Sequence, residues 1–262
     1  MAIFSVILLV LVEMVMQTTL IWQRVSGASA NRQNARLLLQ MMGRDMQAAV
    51  FPTDPANSNL LFQVNPASLS DSSYLNPSAA FWQADFSGTA ATNGDIQDVG
   101  YFINWVVDGS GVEHGTFCRI QVPRPSTNST TSPLAITQAL LANDAPGLAN
   151  TNLASATAYQ GLLADGVMGL WVTLYSTNTT STNLPASTYY STNATFQPAY
   201  ADLGIVMMDS TVAARINSSN LASITNLYST STNAASFINQ LPANFQPSVQ
   251  AFTTRVQLKN VP

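Results

Sequence analysis

Residues 1–16 (MAIFSVILLVLVEMVM) are apolar at nearly every position, with no polar stripe running through them, and Glu13 is their one charge. From Thr19 the pattern becomes helical. Leu20, Ile21, Trp22 and Val25 continue the apolar side, and Leu38, Leu39, Met42, Met46 and Ala49 recur at three- and four-residue intervals. Residues 31–36 and 43–45 supply the polar side. No proline precedes Pro52, and only Gly27 and Gly43 interrupt the good helix formers. The spacing predicts one helix from Met1 to about Val50, on the order of 75 Å long at 1.5 Å per residue. Pro52 and Pro55 would end it, because proline lacks the amide donor that a continuing helix needs.

Beyond the helix the period shortens to two. Residues 99–107 (VGYFINWVV) alternate as a strand, residues 108–111 (DGSG) carry a turn signal, and residues 115–122 (GTFCRIQV) answer as the hairpin partner. On that second strand Cys118, Ile120 and Val122 would share one face, with Phe117, Arg119 and Gln121 on the other. Residues 134–142 form an apolar island, read as a short helix inside a Pro-, Thr- and Asn-rich loop. Residues 162–175 contain a strand from about Gly169, and residues 203–208 (LGIVMM) suit a strand covered on both faces. Val212 to about Leu227 looks helical, with Ala213, Ile216, Leu221, Ile224 and Leu227 apolar. Residues 250–259 alternate, with Phe252, Val256 and Leu258 facing in and Thr253, Arg255, Gln257 and Lys259 facing out. The fold class expected is therefore α+β: a long N-terminal α-helix packed on a mainly antiparallel sheet. The helix would be a stalk over 1–50, apolar over 1–22, and the β-rich body would span 51–262.

Composition narrows the functional classes. Charged residues make up only 8% of the chain, against about 25% in ordinary soluble domains. Ser, Thr, Asn and Gln replace them, as in residues 126–132 (STNSTTS). A formal charge of −4, with no cluster of Lys and Arg, excludes nucleic acid as a partner. Arg24, Arg32, Arg36 and Arg44 are spaced along the stalk as a solvated face. Cys118 is the one cysteine, so no intramolecular disulfide forms; it reads as a small buried apolar residue. The apolar run of about fifteen residues is short against the twenty or so of a membrane span. It has no basic residues ahead of it and no small-residue cleavage site after it, unlike a secretory signal. The expectation is that Met1 lies inside a longer apolar helix.

Catalytic chemistry is sparse. His114 is the one histidine, and no nucleophile elbow, phosphate loop, CxxC pair or HExxH helix accompanies it. No enzymatic activity and no cofactor are expected. Asp95, Asp98, Asp108 and Glu113 flank the hairpin and could offer oxygen ligands to calcium, or form part of a solvated loop. Trp22, Trp82, Trp105 and Trp171 read as core or interface anchors.

The long helix and the order of strands resemble the type IV pilin and type II secretion pseudopilin superfamily. Within it the chain is most similar to the J-type minor pseudopilins, and closer still to the group called Verru_Chthon cassette protein C. The resembling stretches are residues 17–24 (QTTLIWQR), 35–49 (ARLLLQMMGRDMQAA), 99–102 with 115–119, 201–215 (ADLGIVMMDSTVAAR) and 241–260, especially 252–259 (FTTRVQLK). The leader, the glycine cleavage site and the Phe-Thr-Leu-x-Glu opening of such subunits are absent from this sequence, and Glu13 lies too deep in the run to replace the motif glutamate. The resemblance implies a structural subunit of a type II secretion or type IV pilus-type filament. Ile3, Phe4, Ile7, Leu8, Leu11, Met14, Leu20 and Trp22 would form its partner or membrane helix. It implies other pseudopilins as partners, exported cargo as a further contact, and the bacterial inner membrane before assembly. The body would then lie in the periplasm or on an extracellular filament. The alternative is a membrane-anchored surface or adhesive protein with an uncleaved signal anchor.

Overall fold

The computed structural model describes residues 2–50, 63–64, 79–85, 96–107, 113–123, 159–176, 198–213, 216, 223–224, 227–228 and 230–258. Within helix α1 (Ala2–Gln47), side chains are described at 4, 8, 11–19, 27 and 29–47. Two antiparallel sheets follow. The first has the order β1 (Gln63–Val64), β2 (Ala79–Asp85), β3 (Ile96–Val107), β4 (Glu113–Pro123) and β5 (Tyr159–Asp165); the second runs β6 (Val167–Ser176), β7 (Pro198–Met208) and β8 (Val249–Gln257). Short helices α2 (Ser210–Ala213) and α3 (Ala234–Gln240) separate β7 from β8. The class is α+β with antiparallel sheets, as the alternation of apolar residues implies.

The apolar stripe of α1 behaves as its spacing requires. Ala35, Leu38, Leu39, Met42, Met46 and Ala49 are buried in a core that also takes Trp82, Tyr101 and Phe117 from the first sheet and Leu203 and Ile205 from the second. The helix ends at Gln47 rather than near Val50, with the Ala48 amide donating to the carbonyls of Arg44 and Asp45. The chain then enters the first sheet through a single antiparallel bridge, Ala49 to Ala84. Pro52 and Pro55, the DGSG turn and the apolar island at 134–142 lie outside the described residues.

Several local expectations are corrected. The segment 162–175 holds parts of two strands, β5 and β6, which belong to different sheets. Gly166 separates them at φ 77°, a backbone region that glycine enters without steric cost. Its amide donates to Gly115 O at 2.9 Å, and its carbonyl accepts from Met208 N at 2.8 Å. One residue therefore hydrogen-bonds both sheets and turns the chain from one to the other. A β-carbon there would lie 3.0 Å from Met208 O. The strand expected on β4 is present and buried on both faces: Phe117 and Arg119 are as buried as Cys118 and Ile120. The single helix expected from Val212 to about Leu227 is interrupted, because Ile216 is non-helical though buried. Helix α3 was not legible in the apolar pattern. It is set by its cap, in which Asn233 accepts from Ser236 N at 2.8 Å and Ser236 Oγ accepts from Asn233 N at 3.2 Å.

β7 is covered on both faces, as its continuous apolar run requires; Leu203 through Met208 are all buried. α1 lies on the face of β8 that carries Val256, so closely that a β-carbon on Gly43 would meet Val256 Cγ2 at 3.2 Å. α3 lies on the opposite face of the sheet over β7, where Ala234 approaches Gly204, and Thr253 across the ladder from Gly204 stays exposed. On β8, Val256 and Leu258 are buried and Thr253, Arg255 and Gln257 exposed, in the expected alternation, with Phe252 half-buried. Trp171 packs with Tyr228 and Phe237, its Nε1 donating to Ser231 O at 3.3 Å.

Candidate functional site

Two parts of α1 define what the molecule presents and how it is held. Leu11 through Thr19 are exposed without exception, and Phe4 and Leu8 are exposed too. Phe4, Met14 and Met16 show 71%, 64% and 64% of their surface. The apolar residues here occupy consecutive positions, so they surround the helix instead of forming a stripe. The two hydroxyls that follow turn back onto the helix: Thr18 donates to Met14 O at 2.7 Å and Thr19 to Val15 O at 2.8 Å. That bonding satisfies both groups without water. Of the residues expected to form a partner or membrane surface, Phe4, Leu8, Leu11 and Met14 are exposed on this segment. Ile3, Ile7, Leu20 and Trp22 lie on α1 with side chains outside the described set. Among the described residues, no helix is long and apolar enough to cross a membrane.

The other part is anchored by a buried polar cluster. Asp45 falls on the apolar stripe, three residues after Met42, and is only 5% exposed. A carboxylate there must be paired to be tolerated. Its Oδ2 accepts from Tyr101 Oη at 2.5 Å and from Arg119 Nε at 2.7 Å, and its backbone carbonyl accepts from Trp82 Nε1 at 3.2 Å. Arg119 Nε also reaches Tyr101 Oη at 3.1 Å. Tyr101 stacks between Trp82 and Phe117, with ring centroids 5.4 and 5.7 Å away. These residues come from α1, β2, β3 and β4, so the cluster ties the end of the helix to three strands.

The electrostatics match that role. Burial pushes the Tyr101 hydroxyl far above the usual tyrosine range, and the Asp45 charge pushes it further, so it stays protonated and donates. Burial alone would lower Arg119, but the hydrogen bond to Asp45 and the negative charge nearby raise it, so it stays cationic. Arg119 Nη1 is buried without a hydrogen-bond partner among the described residues. The hydrogen bonds of the cluster run between α1 and the strands, so it acts as a clamp. Residues 43–45 were expected on the polar side of the helix; Arg44 is exposed, but Gly43 and Asp45 are buried, and Arg119 is buried with Phe117 on the second face of β4. The signal was present in the helical phase of Asp45 and in the shared parity of Arg119 with Phe117.

The calcium grouping does not assemble. Asp98 pairs with Val122 and Glu113 with Val107. The two acids therefore sit nine positions apart along β3 (98 to 107), about 30 Å at the strand rise. They cannot share an ion. Asp95 and Asp108 lie outside the described residues, and no group of three or more metal-binding side chains occurs among those described. His114 pairs with Val106 on β4, and its side chain lies outside the described set. Cys118 is fully buried. Trp82 and Trp171 are buried anchors; the Trp22 and Trp105 side chains are not described.

No family model, curated protein or solved structure matches the chain.

Proposed function

We propose that this protein is a structural subunit of a type II secretion or type IV pilus-type filament, a minor pseudopilin-like component that joins its partners through the first part of α1. The observation that carries this reading is the exposure of Phe4, Leu8, Leu11, Val12, Met14, Val15 and Met16 on a helix whose later turns are sealed against the body. Fully burying one such side chain stabilises an assembly by about 1.5–3 kcal/mol. A helix apolar all round finds that burial only in a bundle of similar helices or in lipid. In this reading α1 is a stalk, stable in the inner membrane and withdrawn from it only into an equally apolar bundle of partner subunits. The weakly charged body remains in the periplasm or on the filament, free to meet other minor subunits or exported cargo. The work is mechanical, and no catalytic step is assigned.

Deletion of residues 1–24 tests this directly. The expected result is a folded body that no longer co-purifies with partner pseudopilins; unchanged co-purification defeats the proposal. The membrane-anchored surface protein remains the second reading, because lipid covers the same exposed side chains. A photo-crosslinking residue in place of Leu11 separates them: adducts to neighbouring helices support a filament, and adducts to lipid alone support the anchor.

A further inference from the structure

A groove of about 790 Å³ runs between α1 and β8. On the helix side its lining positions fall at 32, 36, 39, 40, 43, 44 and 47, one stripe along the axis. On the strand side they are the consecutive residues 251–256. Successive residues of a strand point to opposite faces, so a lining with no gap in parity means that the groove opens onto the edge of β8. β8 is the last strand in the order β6-β7-β8, and no strand pairs with its second side among the described residues. Such an edge presents backbone donors and acceptors ready for another strand.

The groove is also cationic in a chain of net charge −4. Arg32, Arg36, Arg44 and Arg255 line it, four of the nine Lys and Arg residues of the whole sequence. Arg255 is already committed: its Nε and Nη2 donate to the two oxygens of Asp202 at 2.7 and 2.8 Å. Arg32, Arg36 and Arg44 are exposed, with no ion-pair or hydrogen-bond partner among the described residues.

We infer that this groove takes an extended acidic segment of a partner protein, paired as an added strand on the free edge of β8. Spacing narrows the segment. Arg32 and Arg36 stand about 6 Å apart along the helix axis, and Arg36 and Arg44 about 12 Å. In a strand, side chains on one face recur at about 6.6 Å for two residues and about 13 Å for four. Three carboxylates separated by two and then four residues, in either chain direction, therefore meet the three guanidinium groups while the backbone bonds to β8. None of the thirteen Asp and Glu residues of this sequence stands two or four positions from another, so no stretch of residues 1–262 supplies the pattern, and the segment is assigned to a different protein. Main-chain bonds would supply affinity and the arginines the selection. A groove of this shape accepts such a segment whether or not α1 enters a filament.

The test uses the full chain in non-ionic detergent and a fluorescent, end-capped peptide of nine residues with glutamate at its second, fourth and eighth positions and Val or Thr elsewhere. Anisotropy is expected to show binding that weakens with salt, about a hundredfold loss in the R32E/R36E/R44E variant, and about a tenfold loss when alternate peptide amides are N-methylated. These arginines are exposed, so the variant is expected to keep the wild-type unfolding midpoint, measured in parallel. No binding, binding equal in the variant, or indifference to N-methylation overturns the proposal. If phosphatidylglycerol-doped micelles engage the same arginines while the peptide does not bind, the groove belongs to lipid headgroups and the proposal also fails. Because the peptide assay never requires assembly, its failure leaves the crosslinking result at Leu11 intact.

Discussion

Between Leu11 and Thr19 every side chain of α1 is exposed, whereas from Ala35 to Ala49 the chain is sealed along one stripe against two sheets. Both stretches are rich in Leu, Met and Val or Ala, so hydrophobicity alone does not distinguish them. Their spacing does. The later stretch places apolar residues three and four apart, which leaves a polar side for water and lets the protein bury the stripe within itself. The earlier stretch has no such phase, and no single neighbour could cover it. One helix thus carries a segment that satisfies itself and a segment that needs an environment from outside.

The strongest way to break the self-satisfied segment is to remove the charge at its end. Asp45→Ala leaves the Arg119 guanidinium buried and unpaired, and the expected loss is about 3–5 kcal/mol by denaturant unfolding. The double variant D45L/R119M removes both charges and is expected to recover most of that loss, because the desolvation cost disappears with the pair. A double variant as unstable as the single one would show that the cluster is not acting as an ion pair.

A matched pair of truncations sharpens the contrast. Met42→Ala empties a fully buried site and is expected to lower stability by about 2–5 kcal/mol. Leu11→Ala, on a side chain 55% exposed, is expected to stay within about 0.5 kcal/mol. Equal losses at the two positions would mean that the first segment is also docked on the body.

The smallest effect is expected at Asp202, remote from the helix contrast. Its hydrogen bonds from Arg255 hold its carboxyl below the usual range. A depressed carboxylate contributes above its unfolded value of about 3.9, and the contribution vanishes as pH falls through the lower folded value. Asp202→Asn is therefore expected to cost at most about 1 kcal/mol near neutrality, since the pair is largely exposed. The difference from wild type should close in strong acid. A difference that grows as the pH falls would contradict this assignment.

The elements with a clean period were legible in the sequence. The stripe from Leu38 to Ala49, the β3–β4 hairpin, the doubly covered run 203–208 and the alternation of 250–258 all follow from period and composition. What escaped depends on single residues with no periodic signature. Gly166 splits one apolar run into strands of two sheets through a backbone angle, and Asn233 starts α3 through a side-chain bond. Alternation placed Arg119 on one face with Phe117 but carried no sign that a second layer buries that face too. The candidate site divides the same way: the exposed apolar segment was visible as a run, but the carboxylate at position 45 had to be placed in phase with Met42 and Met46 before its burial became evident.

The lone thiol has a practical consequence. Cys118 is sealed within β4, its Sγ 3.6 Å from Thr116 O, and no other sulfhydryl competes with it. The rate at which an alkylating reagent modifies the native protein therefore clocks how often the first sheet opens, with no engineered label. Run on isolated subunits and again on any assembled form, the same clock reads whether engagement of the helix stiffens a strand that it is clamped to.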